Sequence, residues 1–293
     1  SSKRYIKKYQ MRYKPMLAYP VSSKPIDYND KVFIQPKLDG VRCVIQYNKL
    51  KCGEHEVVAY SRTGKQWKNI AHICVELKPF FKKWPNIVLD GELYNHDFKD
   101  NFEEIISMVR KQKPTEEDRS KARKNVQFHC YDLIDTKISF KTRDEFIKEY
   151  VPKSYCVKHV HTMPVPNPGA LHYVHGANIE CGYEGSIVRL NTPYECKRSH
   201  SLRKFKEFHD AEAQIVGYEV GKGKREGTLG KFYMIDPFGV KFGCPPGKGY
   251  TYKDMADILD NIGDYIGKNA TFTYFERTKA GSYRHPQFKC IRD

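Results

Sequence analysis

At 293 residues the chain is long enough for one large domain or two ordinary ones, with a sizeable core. Lysine and arginine outnumber aspartate and glutamate 51 to 35, a formal net charge of +16; that surplus favours a polyanionic partner (nucleic acid, an anionic membrane surface or a phosphate-rich ligand), a basic surface kept for solubility being the plainer alternative. With 21 tyrosines and 16 phenylalanines bulk disorder is excluded, and without a run of about 18 apolar residues no transmembrane helix is expected.

The first stretch, SSKRYIKKYQMRYKP, is basic and lacks the apolar segment of a secretory signal, so none is expected. From there to about residue 208, short runs rich in Val, Ile and aromatics, bounded by Gly, Pro or Asn, predict strands over 32–35, 41–47, 57–61, 87–93, 126–133, 186–190 and 202–205. Apolar residues spaced three and four apart predict helices over 70–82, 102–112, 140–150 and 170–180. Pro114-Thr115-Glu116-Glu117-Asp118 reads as a further helix start, its acids near the positive end of the helix dipole. This mixture predicts an α+β domain with antiparallel sheets.

After about Phe208 the texture changes. Strands are predicted over 213–220, 231–235, 240–243 and 270–275, mostly separated by glycine-rich turns and interrupted by one short helix over 253–261. That makeup suits a small, partly open barrel such as an OB-fold, with an SH3-like barrel left open by pattern alone. A domain boundary is expected near residue 207, giving units 1–207 and 208–293.

The nine cysteines contain no CxxC pair, so a disulfide scaffold is not expected and a reducing compartment, cytoplasm or nucleus, fits better. Cys156, His159 and His161, like His172 and His175, lie close in sequence but lack a second half with ligand spacing, so a metal site there is not expected.

The stretch QPKLDGVRC, residues 35–43, carries chemistry on two readings. Lys37, Asp39, Gly40 and Arg42 could form an Asp-Gly hairpin between strands. That is the better reading of the stretch alone; the other holds a lysine as a nucleophile, since an amine attacks phosphorus only when neutral, and nearby cations and desolvation favour that form. Later segments add weight in a fixed order: Ser61-Arg62; Leu89-Asp90-Gly91-Glu92-Leu93; Phe128-His129-Cys130-Tyr131-Asp132; Glu184-Gly185-Ser186-Ile187-Val188-Arg189; and Leu202-Arg203-Lys204-Phe205-Lys206, whose lysines share one strand face. Singly, each has a plain reading as a turn, a solvated face or a core aromatic.

As a set they resemble the covalent nucleotidyltransferase superfamily of polynucleotide ligases and mRNA capping enzymes, and within it the small ATP-dependent DNA ligases of the kind found in viruses and phages. The resemblance runs from Pro15-Met16-Leu17-Ala18 to the C-terminal Arg284-His285-Pro286-Gln287-Phe288-Lys289-Cys290-Ile291-Arg292. It implies an adenylation (nucleotidyltransferase) domain with antiparallel sheets followed by an OB-fold. It implies Lys37 as the nucleophile that takes AMP from ATP, with Lys204 and Lys206 on the α-phosphate and Gln35 at the adenine edge. Arg42 and Glu92 fall at the ribose, Tyr131 stacks on the base, and Glu184 directs a divalent metal, Mg²⁺ or Mn²⁺. Arg62 would grip the 5′-phosphate of a nick, Asp39 act in the sealing step, and Arg292 orient the departing pyrophosphate. The segment 220–229, VGKGKREGTL, is shorter than the DNA-encircling hairpin of some compact ligases; Lys222, Lys224 and Arg225 in it are candidates for phosphate contacts. The implied partner is nicked duplex DNA, without membrane, bound by a monomer. The alternatives are an RNA ligase or mRNA guanylyltransferase of the same superfamily, and a noncatalytic nucleic-acid-binding protein.

Overall fold

The computed structural model describes residues 10–292 apart from 207, 275 and 279, and of Glu276 its backbone only. The basic N-terminal stretch through residue 9, the last residue of the strand predicted over 270–275 and the expected boundary residue itself lie outside the described residues. The chain divides into two compact units, Ser1–Phe205 and Lys206–Asp293.

The first unit is built on two five-stranded sheets. One runs β1(Leu17–Pro20), β10(Arg198–Lys206), β9(Gly185–Leu190), β2(Val32–Lys37), β8(Met163–Pro164). The other runs β4(His55–Tyr60), β3(Val41–Lys49), β5(Leu89–Tyr94), β6(Gln127–Leu133), β7(Val157–His159). Period-two alternation decides which side chains enter which layer. Along β2, Val32 and Ile34 pack with Val188 against Leu171 of α5(Pro168–Glu180). Phe33, Gln35 and Lys37 take the opposite side, where the ring of Phe33 meets Phe140 of α4(Phe140–Tyr150) edge-on, centroids 5.3 Å apart. A second cluster joins the sheets: Leu202 and Ile187 from one pack with Val44 and Val88 beside the other. The outer side of the second sheet is covered by α1(Ala71–Lys83), α2(Phe102–Val109), α3(Glu116–Asn125) and Ile147 of α4, around Ile73, Leu77, Phe81, Val109 and Ala122.

Local rules account for the ends of these elements. Thr115 and Asp118 form a reciprocal capping box at the start of α3, as the acidic cluster there predicts. Ser139 caps α4 through Thr142 N–H. The helix predicted over 102–112 stops at Val109, and the strand predicted over 202–205 extends over Arg198–Lys206. The short strands β1, β7 and β8 carry no pattern of their own.

The second unit is a five-stranded sheet in the order β13(Lys241–Cys244), β12(Leu229–Ile235), β11(His209–Val220), β14(Asn269–Tyr274), β17(Gln287–Arg292), every neighbour antiparallel. Phe232, Met234, Phe272 and Phe288 fill its core, closed by Ile258 of α6(Tyr252–Asp260). A two-stranded ribbon, β15(Glu276–Arg277) with β16(Tyr283–Arg284), completes it. The strands β15–β17 are not anticipated by the sequence pattern.

Candidate active site

Lys37 is the last residue of β2 and pairs in register with Gly185, the first residue of β9. Leu38, Asp39 and Gly40 then carry the chain into β3, which belongs to the other sheet. The Asp39-Gly40 turn is therefore a passage between sheets rather than a hairpin: two strands joined by a hairpin would pair with each other, and β2 and β3 do not. Gly40 is required by closeness. A β-carbon there would lie 2.2 Å from the Leu93 carbonyl oxygen.

The Lys37 ammonium lies 3.1 Å from Oε2 of Glu184, the residue just before β9. Both side chains are largely enclosed, about 20% exposed. Glu92 enters from β5 on the second sheet. Burial raises its carboxyl to about 7, against the opposing pull of Lys37, Arg42 and a hydrogen bond from Tyr131. That bond, from the Tyr131 hydroxyl to Glu92 Oε1, measures 3.1 Å. Tyr131 owes its place to a β-bulge: Asp90 pairs with Asp132 and Gly91 with Cys130, so Tyr131 is the extra residue on β6. Such a bulge re-aims a side chain. Lys204 lies on β10, separated from β2 by β9 in the same sheet, and shares its strand face with Leu202, which points between the sheets. Lys37, Glu184, Glu92 and Tyr131 thus converge, and Asp39 is close enough to add to the upward push on Glu92.

Several other expected residues have protein partners of their own. The Arg42 guanidinium forms a forked pair with Asp90, 2.7 Å to each carboxylate oxygen, and also bonds the Met16 carbonyl at 2.8 Å. Arg42 and Glu92 are cross-strand neighbours, but the charged head of Arg42 is turned to Asp90. The Gln35 amide is enclosed by protein: its oxygen accepts from Arg189 at 2.6 Å, and its nitrogen donates to the Tyr131 carbonyl and the Thr162 hydroxyl. Arg62 stands in an exposed turn after β4. In the second unit, Lys206 pairs with Asp210 at 2.9 Å. Arg292, at the end of β17, bonds the Thr271 hydroxyl and lies 3.7 Å from Glu212. Lys222 lies 3.5 Å from Glu219, and Lys224 and Arg225 belong to a single exposed 3₁₀ turn. The segment is closed by backbone bonds such as that from Gly221 N–H to the Thr228 carbonyl.

The sequence reading misses the network beneath the site. Asp132 is fully buried between two arginines, Arg143 at 2.8 Å and Arg189 at 2.8 Å. Arg189 also reaches Gln35 and lies 5.0 Å from the Tyr131 ring centre. Asp90, equally buried, accepts from Arg42 and from the Tyr194 hydroxyl. An available signal was an aspartate inside each of two apolar strands, since a carboxylate is buried only when paired.

A lysine at a sheet end against one carboxylate, with a second carboxylate and an aromatic on the facing sheet, ahead of a separate five-stranded unit, is the architecture of a nucleotidyltransferase fold followed by an OB-fold. Family-level matches extend over both units. One family, described as the ATP dependent DNA ligase domain, matches residues 15–206, and a second, described as a DNA ligase OB-like domain, matches residues 220–292. The chain belongs to the ATP-dependent DNA ligase family. A DNA ligase of African swine fever virus (isolate Tick/South Africa/Pretoriuskop Pr4/1996) is 29% identical over 260 residues, covering 83% of this chain and 59% of the viral protein. A probable DNA ligase of Rhodococcus opacus (strain B4) is 27% identical over 260 residues, covering 84% of this chain and 48% of its own length. The chain therefore spans only about half to three fifths of these relatives. Among solved structures, a Lig E DNA ligase superposes with a TM-score of 0.55 at 24% identity, covering 95% of this chain and 98% of the other. Mycobacterial DNA ligase D complexed with ATP and MES gives 0.61 at 17% identity, covering 96% and 95%. These structural likenesses describe the fold.

Proposed function

We propose that the chain is an ATP-dependent DNA ligase that seals 5′-phosphate/3′-OH nicks in duplex DNA through a lysyl-AMP and a DNA-adenylate intermediate. The observation that carries the reading is the contact of Lys37 with Glu184 at 3.1 Å, opposite Glu92 and Tyr131. Residues 1–207 form the adenylating unit and residues 208–293 the OB unit. The protein acts as a monomer in a reducing compartment, cytoplasm or nucleus, in keeping with nine free cysteines.

The first step needs a neutral Lys37. Its ammonium gives a proton to solvent; the cations Lys204 and Lys206 favour that neutral form, whereas Glu184, in direct contact, favours the charged one until it turns to another cation. The Nζ lone pair then forms a bond to the α-phosphorus of ATP, and the bond from that phosphorus to the β-phosphate oxygen breaks, releasing pyrophosphate. Such transfer depends on positioning and charge neutralisation, which Lys204 and Lys206 supply at the α-phosphate and Arg292 at the leaving group. Glu92 contacts the ribose, with Arg42 beside it steadied by Asp90, and Tyr131 offers its ring to the adenine, with Gln35 behind it. AMP next passes to the 5′-phosphate of the nick, held by Arg62; the 3′-OH, with Asp39 nearby, attacks that phosphate and AMP leaves. Lys222, Lys224 and Arg225 contact the DNA backbone.

Among the described residues no group of three or more His, Cys, Asp or Glu could hold a metal ion by itself. A lone carboxylate such as Glu184 fits a Mg²⁺ or Mn²⁺ ion that takes its other ligands from phosphate oxygens and water, and such an ion supplies charge neutralisation at the phosphates.

Incubation with α-labelled ATP and Mg²⁺ tests the reading. Label stays on the protein through denaturation and is absent from Lys37→Ala; label retained by that variant refutes the nucleophile. A panel of nicked DNA, RNA and hybrid duplexes then identifies the polymer, and light scattering reads the monomer.

A further inference from the structure

The loop that delivers Glu184 follows directly from the end of α5. Gly182, with φ of +89°, turns the chain in the left-handed region that ends many helices, and Tyr183 and Glu184 follow. The last carbonyls of a helix have no partner within it. The Cys181 carbonyl finds one outside: Nε2 of His96, at 2.8 Å. A carbonyl only accepts, so Nε2 carries a proton, and in the neutral ring Nδ1 is then an acceptor. Nδ1 faces the Tyr94 hydroxyl at 2.6 Å, and that hydroxyl donates to it. The imidazole also stacks on the ring of Tyr183, centroids 4.2 Å apart and planes within 24°.

His96 is itself well fixed. It follows Asn95, which is buried, accepts from Asp97 N–H at 3.0 Å and donates to the Asn125 carbonyl at 2.8 Å. Tyr94 is two residues beyond Glu92 on β5, so the two side chains share a strand face. Tyr94 and Tyr183 pack with Leu38, the residue after Lys37. One imidazole therefore links the strand that carries Glu92 to the loop that carries Glu184, beside the lysine between them.

We propose that His96 is a positioning residue that sets the Glu184 loop relative to Lys37 and Glu92. It touches neither substrate nor reacting atoms; it acts through the Cys181 carbonyl and the Tyr183 ring. The inference rests on the reading of Lys37 and Glu184 given above.

The test uses the full chain, with His96→Ala and the milder Tyr94→Phe, which removes the donated hydrogen bond and keeps the ring. In protein without nucleotide, hydrogen–deuterium exchange over 181–185 accelerates in both variants, while the core of β5 exchanges as in the wild type. The Mg²⁺ concentration for half-maximal self-adenylation rises by about 10-fold in His96→Ala, the scale on which partners behind a metal-directed ligand act, and less in Tyr94→Phe. A merely structural role predicts lower thermal stability with an unchanged Mg²⁺ requirement, and that result overturns the proposal, as does unchanged exchange over 181–185. Should wild-type protein take no label on Lys37, the ligase reading fails, and the exchange measurement still decides whether His96 holds the loop.

Discussion

Replacing Glu92 by glutamine should change how stability depends on pH. Burial lifts the Glu92 carboxyl from an ordinary 4.5 to about 7. A folded-state acid with a raised pKa keeps its proton where the unfolded chain has lost it. Its contribution to stability is therefore greatest below about pH 4.5, declines as pH rises, and is spent above about pH 7. At about 1.4 kcal/mol per pH unit this window spans about 3 kcal/mol; partial exposure of the site brings the working figure to about 2 kcal/mol. Glutamine has no proton to lose, so Glu92→Gln should gain about 2 kcal/mol on the wild type between pH 4.5 and pH 7.5. Denaturant unfolding followed by tryptophan fluorescence is a suitable assay, because the two tryptophans, Trp67 and Trp84, both lie in the first unit. Taking the difference between variant and wild type removes the other titrating groups. Parallel stability–pH curves would refute the reasoning and place Glu92 in a well-solvated setting.

Other outcomes follow from contacts described above. Gly40→Ala should cost the first unit about 2 kcal/mol or more, since the added carbon meets the Leu93 carbonyl oxygen at 2.2 Å; an unchanged denaturant midpoint would contradict that approach. Asp132→Ala strands two buried guanidiniums and should cost about 3–5 kcal/mol, read as a large fall in midpoint or loss of soluble protein. Replacing Lys222, Lys224 and Arg225 together by alanine should flatten the dependence of log K on log salt for nicked duplex by up to about 0.9 per lost phosphate contact, whereas an unaltered slope would remove this turn from the proposed DNA interface.

Much of this was legible in the sequence because local chemistry carries it. Strand β2 reads from its valine and isoleucine, and Thr115 with Asp118 announces the start of α3. Lys37, Glu92, Tyr131 and Glu184 read through their order along the chain, and the fold brings them to one place. What stayed hidden depends on long-range pairing. Arg143 sits on a helix whose periodicity gives no hint that its head meets Asp132 on β6. Arg42 neighbours Glu92 across the strands, and nothing along the chain announces the forked pair with Asp90 that fixes where its guanidinium rests. The short strands β7 and β8 exist because neighbouring strands offer them open edges, which no count of β-branched residues foretells.

The passage from β2 to β3 also constrains chain length. Three residues, Leu38 to Gly40, span from one sheet to the other, with pairing pinned on both sides: Lys37 on Gly185 behind, Val41 on Leu93 ahead. An inserted or deleted residue would have to be taken up by a local bulge, as at Tyr131 on β6, or drive one strand out of step by a single position, and in a strand that step turns every inward side chain outward. The tolerance for change in this segment should therefore be graded by number before identity: many single substitutions at Asp39 would leave the protein folded, while a change in the count of residues sets the pairing of β2 against that of β3.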